Sequence, residues 1–216
     1  MQLINIAIDG PAGSGKGTVS RLVAKELSLK YLDSGALYRG IAYYLNSNNL
    51  DLKNVELNSL SLQFDFIDED LYLEEENIEK EIRTNQISEL ASYYSSFPKI
   101  REYVNSIIKQ KIKLGGFVLE GRDIGSVVMP DAEVKIYLDA NPEIRARRRL
   151  KDYQDKGQDL SYDKVLEDIN KRDKRDSTRK DSPLTIAKDA KVIDSTNMSI
   201  DEVKNKIIEI ARNSIS

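Results

Sequence analysis

Nine consecutive residues, Gly10-Pro11-Ala12-Gly13-Ser14-Gly15-Lys16-Gly17-Thr18, have the types and spacing to hold phosphate. They match the pattern G-x-x-x-x-G-K, with the hydroxyl residue one place later than in the commonest form of that loop. Glycines let consecutive backbone N–H groups point at phosphate oxygens. A following helix N-terminus adds partial positive charge, and Lys16 adds a whole one directed at β- and γ-phosphates. A glycine-rich turn that merely joins a strand to a helix is the plainer reading. The context favours the phosphate loop: an apolar run, Leu3 to Ile8, precedes it, and Val19, Leu22, Val23 and Leu27 form an apolar helical stripe behind it.

The rest of the composition narrows the chemistry. The chain has 216 residues with no Cys, no His and no Trp. Disulfides, thiolate metal sites, a Cys nucleophile, a Ser-His-Asp triad and imidazole acid–base groups are therefore excluded. Carboxylates, Lys, Arg, hydroxyls and backbone amides remain, together with a hard cation. An acidic limb in a rate profile near pH 6 is then expected to come from a substrate phosphate. Charge is uneven: residues 51–100 carry 12 acids and 4 bases, and residues 141–180 carry 9 acids and 13 bases. The basic stretch is either a solvated helix surface or a site for a phosphorylated ligand. A net charge of −3 and a pI near 5.3 set nucleic acid aside. The longest apolar run, Ile41 to Leu45, is too short to cross a bilayer. Met1 to Ile8 lacks the charged start of a signal peptide, so a cytoplasmic location is expected.

The elements that must position these groups follow from periodicity. Strands are expected at Leu3–Ile8, Tyr31–Asp33, Phe117–Glu120, Val134–Leu138 and Lys191–Asp194, alternating with helices. One helix begins near Gly35 with Leu37, Tyr38, Ile41, Ala42 and Leu45 on its core face and Arg39 off it. Others begin at Phe97-Pro98, at Asn141-Pro142-Glu143, near Ser161 and at the capping box Ser199-Ile200-Asp201-Glu202. Leu62, Phe64 and Phe66 alternate with polar residues, Asp68-Glu69-Asp70 reads as a turn, and Leu71 and Leu73 resume the alternation, which predicts a hairpin inserted in the α/β frame. Alternating strands and helices imply a parallel sheet covered on both faces, with ligands at its carboxyl edge. Asp9-Gly10, Asp33-Ser34, Glu120-Gly121-Arg122-Asp123 and Asp139 all fall at such strand ends.

A GTPase is the first rival, because Asn170-Lys171-Arg172-Asp173 matches N-K-x-D. That segment reads as the interior of a polar helix, and the chain contains no D-x-x-G. The loop variant with Gly17 before Thr18 resembles that of the nucleoside monophosphate kinases. Further segments narrow the resemblance: Asp33-Ser34-Gly35-Ala36-Leu37-Tyr38-Arg39, Glu81-Ile82-Arg83-Thr84, Phe97-Pro98-Lys99-Ile100-Arg101, Gly121-Arg122-Asp123-Ile124-Gly125-Ser126-Val127-Val128, Arg172-Asp173-Lys174-Arg175-Asp176 and Ser182-Pro183-Leu184. Together, from about Leu3 to Ala211, these resemble the bacterial cytidylate kinase family. Ser126 stands where Thr is more usual and Met129 where Phe is.

The resemblance implies a single P-loop kinase domain over residues 1–216, a three-layer α/β/α fold with a five-stranded parallel sheet. It implies a small β insert at 61–84 in the CMP-binding region and a mobile helical lid at about 150–160. The activity implied is phosphorylation of CMP and dCMP by ATP with Mg²⁺, by a monomer that binds neither nucleic acid nor membrane. Lys16, Arg122 and Arg179 are then the catalytic cations, and Gly10 through Thr18 with Arg148 hold ATP. Ser34, Arg39, Arg122 and Arg179 meet the CMP phosphate, Ser92, Arg101 and Asp123 the cytosine, and Arg172 and Asp176 the sugar. Without the resemblance, Arg172 with Asp176 reads as an i, i+4 surface ion pair, Asp123 with Arg122 as a strand-end pair, and Ser34 as a helix cap. Arg145, Arg148, Arg149 and Asp152 follow helical spacing in the lid region. The alternatives are another small P-loop kinase acting on a different monophosphate or metabolite, and a regulatory module that binds ATP without transferring phosphate.

Overall fold

Short, wholly apolar runs make central strands, and capped amphipathic runs make the helices that cover them. The computed structural model describes residues 4–60, 62–155 and 157–215; the expected strand start at Leu3, the insert's first residue Ser61 and Lys156 of the lid segment lie outside them. The first half of the chain runs β1 (Ile6–Asp9), α1 (Lys16–Glu26), β2 (Lys30–Asp33), α2 (Ser34–Ser47), β3 (Phe64–Ile67), β4 (Asp70–Leu73), β5 (Glu76–Asn77), α3 (Glu79–Ile82), α4 (Asn85–Tyr94) and α5 (Pro98–Lys111). The second half runs β6 (Phe117–Gly121), a π-helical turn (Ile124–Val128), β7 (Val134–Asp139), α6 (Pro142–Gln154), α7 (Tyr162–Thr178), β8 (Lys191–Asp194) and α8 (Ile200–Ile215). The chain divides into two compact units, a larger one of Met1–Tyr31 with Gly115–Ser216 and a smaller one of Leu32–Leu114.

The larger unit is built on the sheet β2-β6-β1-β7-β8, whose pairings β1 with β6, β1 with β7 and β7 with β8 are parallel. All four residues of β1 and all five of β6 are buried, as strands covered on both faces must be. Val19, Val23 and Ala24 of α1 and Val203, Ile207, Ile208 and Ala211 of α8 pack against Ile6, Ile8, Val118, Val134, Ile136 and Leu138. Each large aliphatic side chain so buried stabilises by about 1.5–3 kcal/mol. A second cluster, Ala146, Tyr153, Val165 and Ile169, joins α6 to α7. The registers bring Asp9 opposite Gly121 and Tyr137, and Asp139 opposite Asp194, so β1 and β6 end level and β7 and β8 end level with each other two residues further on.

The caps read from sequence are in place. Asn141 Oδ1 accepts from the Glu143 N–H, Ser161 Oγ from the Lys164 N–H, and Ser199 and Glu202 exchange bonds as a capping box. The helix of residues 162–178 stops one residue before Arg179, whose backbone is extended. Arg179 therefore does not extend the helical face of Arg172 and Asp176.

In the smaller unit the expected hairpin is a three-stranded sheet, β3-β4-β5. Phe64, Leu71 and Leu73 are buried and their neighbours Asp65, Ile67 and Asp68 are exposed. Two-residue turns join the strands, Asp68-Glu69 and Glu74-Glu75, and all four residues have positive φ. That is the type I′ geometry, which matches strand twist but strains side chains other than Gly and Asn. The helix Asn85–Tyr94 is absent from the expectation. Its buried face is Ile87, Ser88, Ala91 and Ser92, and two serines in that stripe conceal its apolar period.

Candidate active site

The phosphate loop leaves β1 at Asp9 and enters α1 at Lys16. Gly10 has φ +150°, and a Cβ there would lie 2.0 Å from the Leu138 carbonyl oxygen, so the loop can only pass this close to β7 with glycine. At Gly17 a Cβ would lie 3.0 Å from Glu120 Oε1, a tight approach to that carboxylate. Glu120 is buried at the end of β6 and accepts from the Tyr31 hydroxyl at 2.6 Å. Thr18 is exposed on the first turn of α1. Beneath the loop, Arg145 is buried and donates to the carbonyls of Ala12 (2.9 Å) and Ala140 (2.8 Å) while pairing with Asp173 (2.6 Å). It braces the loop from below. Arg148 also reaches the loop, at the Ser14 carbonyl (3.4 Å), and is pinned to Ser195 through Oγ (3.1 Å) and the carbonyl (2.7 Å). Arg149 turns away onto Tyr153.

Lys16 is buried, and its Nζ donates to the Pro11 carbonyl at 2.7 Å and to Ser14 Oγ at 3.4 Å. Burial pushes its pKa down to about 7, assisted by the charges of Arg122 and Arg172 and opposed by Glu120 and Asp9. A buried ammonium beside two guanidinium groups is a site short of negative charge.

Arg122 follows the strand end Gly121 and is mostly buried. Its Nε donates to Asp176 Oδ2 at 2.9 Å and its Nη1 to the Gly121 carbonyl at 3.2 Å. Arg172 Nε lies 3.9 Å from the same Asp176 oxygen, so one buried carboxylate serves two arginines. Arg122, Arg172 and above all burial act on Asp176: burial would raise its pKa, but the two guanidinium groups hold it below the usual carboxylate range. Arg179 donates from Nε to the Ser182 carbonyl at 2.6 Å and lies 3.8 Å from Asp123 Oδ1. The larger unit thus brings Lys16, Arg122, Asp123, Arg172, Asp176 and Arg179 together. Asp123 pairs with Arg179 and Arg122 with Asp176, which replaces the strand-end pair between sequence neighbours.

Asp9 is a member of this group that sequence reasoning left as a strand end. Its two oxygens accept the N–H groups of Ile124 and Gly125, each at 2.8 Å, and so clasp the π-helical turn that follows Arg122 and Asp123. Burial raises its pKa to about 6, with Asp123 adding to the rise and the two N–H groups and Lys16 opposing it. Short π-helical segments are concentrated at functional sites.

The smaller unit holds the remaining residues. Asp33 caps α2, its Oδ1 accepting from the Ala36 N–H at 3.1 Å, so Asp33 rather than the buried Ser34 fills that role. Arg39 Nη2 and Arg83 Nη1 both donate to Asp33 Oδ2, at 2.7 and 3.0 Å. Burial would raise the pKa of Asp33, but the two arginines hold it well below the usual range. Ser92, on the buried face of α4, presents its carbonyl to Ser95 Oγ. Arg101 of α5 is buried, donates to the Ser95 carbonyl at 3.3 Å and lies 5.6 Å from the centre of the Tyr38 ring. Ser92 and Arg101 are thus each bonded to Ser95, and Arg39 and Arg83 both to Asp33. Arg83 lies in the family-like segment Glu81-Ile82-Arg83-Thr84, which is the one sign of it in the sequence.

A glycine-rich phosphate loop between the first strand and first helix of a five-stranded parallel sheet defines a P-loop protein of three-layer α/β/α architecture, and the cations gathered beside the loop suit phosphoryl transfer. The fold agrees with that of an uncharacterized protein from Eubacterium ventriosum, at a TM-score of 0.57 and 14% identity over 97% of this chain and 98% of that one. Residues 6–213 match the family model for cytidylate kinase, and the chain belongs to that family. It is 46% identical to the cytidylate kinase of Fervidobacterium nodosum over 96% of this chain and 95% of that protein, and 45% identical to that of Thermosipho melanesiensis over 96% of each.

Proposed function

We propose that the protein transfers the γ-phosphoryl group of ATP to the phosphate of CMP or dCMP, giving ADP and CDP or dCDP. The observation that carries the reading is the cation group of the larger unit: buried Lys16 in the phosphate loop, with Arg122 and Arg172 sharing the Asp176 carboxylate. A module that only binds ATP has no need of arginines beyond its loop. A phosphoryl transferase does, because its catalysis is positioning and charge neutralisation. In this reading Gly10 to Thr18 and Arg148 hold ATP, Lys16 bridges donor and transferred phosphate, and Arg122 and Arg179 neutralise charge in transfer. Ser34 and Arg39 meet the CMP phosphate with them, and planar guanidinium groups suit two phosphate oxygens at once. Arg172 and Asp176 face the sugar.

Ser92, Arg101 and Asp123 read the base. Cytosine offers an amino donor to Asp123 and N3 and O2 acceptors to Arg101; uracil reverses part of that pattern and sets a carbonyl against a carboxylate. The insert within 61–84 belongs to the CMP-holding region and 150–160 acts as a lid. Mg²⁺ enters with ATP: among the described residues no group of three or more acidic side chains is arranged for a metal, which suits a cation carried by phosphates. No helix among the described residues is long and apolar enough to cross a membrane. The reading has the enzyme work as a cytoplasmic monomer on free nucleotides, without nucleic acid.

A coupled assay of ADP formation across CMP, dCMP, UMP, AMP and shikimate tests this. CMP and dCMP are expected to be turned over with kcat/KM at least about 100-fold above the others, the range that a mispaired polar base edge gives. Preference for another acceptor supports a different small kinase, and ATP binding with no product supports the regulatory module.

A further inference from the structure

Arg39 and Arg83 share one oxygen of a carboxylate that has nowhere to go. Asp33 is buried, and its other oxygen is committed to the Ala36 N–H at the start of α2. Arg39 gives its Nη2 to Asp33 Oδ2, and a phosphate drawn to the same guanidinium competes with that carboxylate for it. Leaving a buried carboxylate without its partner is far more costly than the pair is worth. Arg83 is built to prevent that. Its Nη1 already rests on Asp33 Oδ2, its Nε is fixed by Glu79, and Glu79 Oε2 is itself tied to the Leu71 N–H of the β insert. The Nη2 of Arg83 is buried and has no hydrogen-bond partner among the described residues, so a donor is at hand for the place Arg39 vacates.

We propose that Arg83 is a positioning residue for the acceptor nucleotide: it takes over the Asp33 carboxylate when Arg39 turns from it to the substrate phosphate. The role is distinct from phosphate binding by Arg83 itself, and it rests on the reading of Arg39 as a CMP-phosphate ligand. It gives the β insert a part in the site, since Leu71, Glu79, Arg83 and Asp33 form one chain of bonds.

Calorimetric affinities for CMP and for cytidine, which lacks the phosphate, test it in the full-length enzyme. Arg83→Gln is expected to weaken CMP about 10- to 100-fold and cytidine less than about threefold, because the stranded charge appears only when a phosphate draws Arg39 away. Asp33→Asn removes that charge while keeping a residue able to cap α2. The double variant D33N/R83Q is therefore expected to bind CMP within about threefold of D33N alone. Arg83→Lys keeps the charge and should stay within about tenfold of the native enzyme; it serves as the folded comparison if R83Q is unstable. An R83Q loss that falls equally on cytidine, or that D33N does not relieve, overturns the inference. Arg39→Met separates this from the underlying reading: if it leaves CMP affinity unchanged, the assignment of Arg39 fails and the inference with it.

Discussion

Lys16 and Asp9 sit within one buried group and are displaced in opposite directions, Lys16 down to about 7 and Asp9 up to about 6, both chiefly by burial. For Lys16 the consequence has a definite sign. Between pH 7 and its ordinary 10.5 the free folded protein has lost a proton that the unfolded chain keeps, so the stability of the free protein rises with pH across that window. Nucleotide bound at the loop as proposed would reverse the imbalance, because phosphate charge favours the ammonium. At pH 8, where ADP phosphates are fully ionised, binding of ADP with Mg²⁺ is expected to take up a fraction of a proton approaching one. Calorimetry in buffers of different ionisation enthalpy measures it, and no uptake, or net release, would show that Lys16 is already charged. Asp9 adds an enzyme group to the range near pH 6 that the absence of His had left to substrate phosphate alone. The loop and Lys16 were legible because a local pattern specifies them. Asp9, Arg83 and the partners of Arg122 were not, because their roles depend on contacts such as Asp9 with Gly125, 116 residues apart.

Capped helices and alternating strands were legible as elements. Asn141, Ser161 and the Ser199–Glu202 box announce their helices by local chemistry, and the hairpin shows in the alternation of Phe64, Leu71 and Leu73. The helix Asn85–Tyr94 was hidden because Ser88 and Ser92 occupy its buried face, where a periodic pattern looks for apolar residues. Ser92 is at the same time a proposed base contact, so the rule is broken where a functional role is proposed. The hairpin also carries a strain that its sequence did not reveal. Glu69 and Glu75 stand at φ +75° and +71° in type I′ turns. A left-handed L-residue costs about 1–2 kcal/mol, and glycine in the unfolded chain gives back about 0.4–1 kcal/mol. Glu69→Gly and Glu75→Gly are each expected to stabilise by about 0.5–1 kcal/mol and raise the melting temperature by about 2–4 °C. A lower melting temperature for both would mean that the carboxylates do more at these turns than the backbone requires.

In the proposed reaction the residues assigned to the two nucleotides come from both compact units. Lys16, Arg122, Arg172 and Arg179 belong to the larger unit, and Arg39 and Arg101 to the smaller. A P-loop alone accounts for ATP; the further arginines are explained when a second nucleotide presents its phosphate to the first. The most direct measurement is the binding of a cytidine and an adenosine joined 5′ to 5′ through five phosphates, which imitates both substrates at once. One molecule is expected to bind per chain, at least about 100-fold tighter than CMP or ATP alone, as linkage of two sites gives, and to be displaced by either nucleotide. Two molecules per chain, or displacement by ATP but not by CMP, would contradict it.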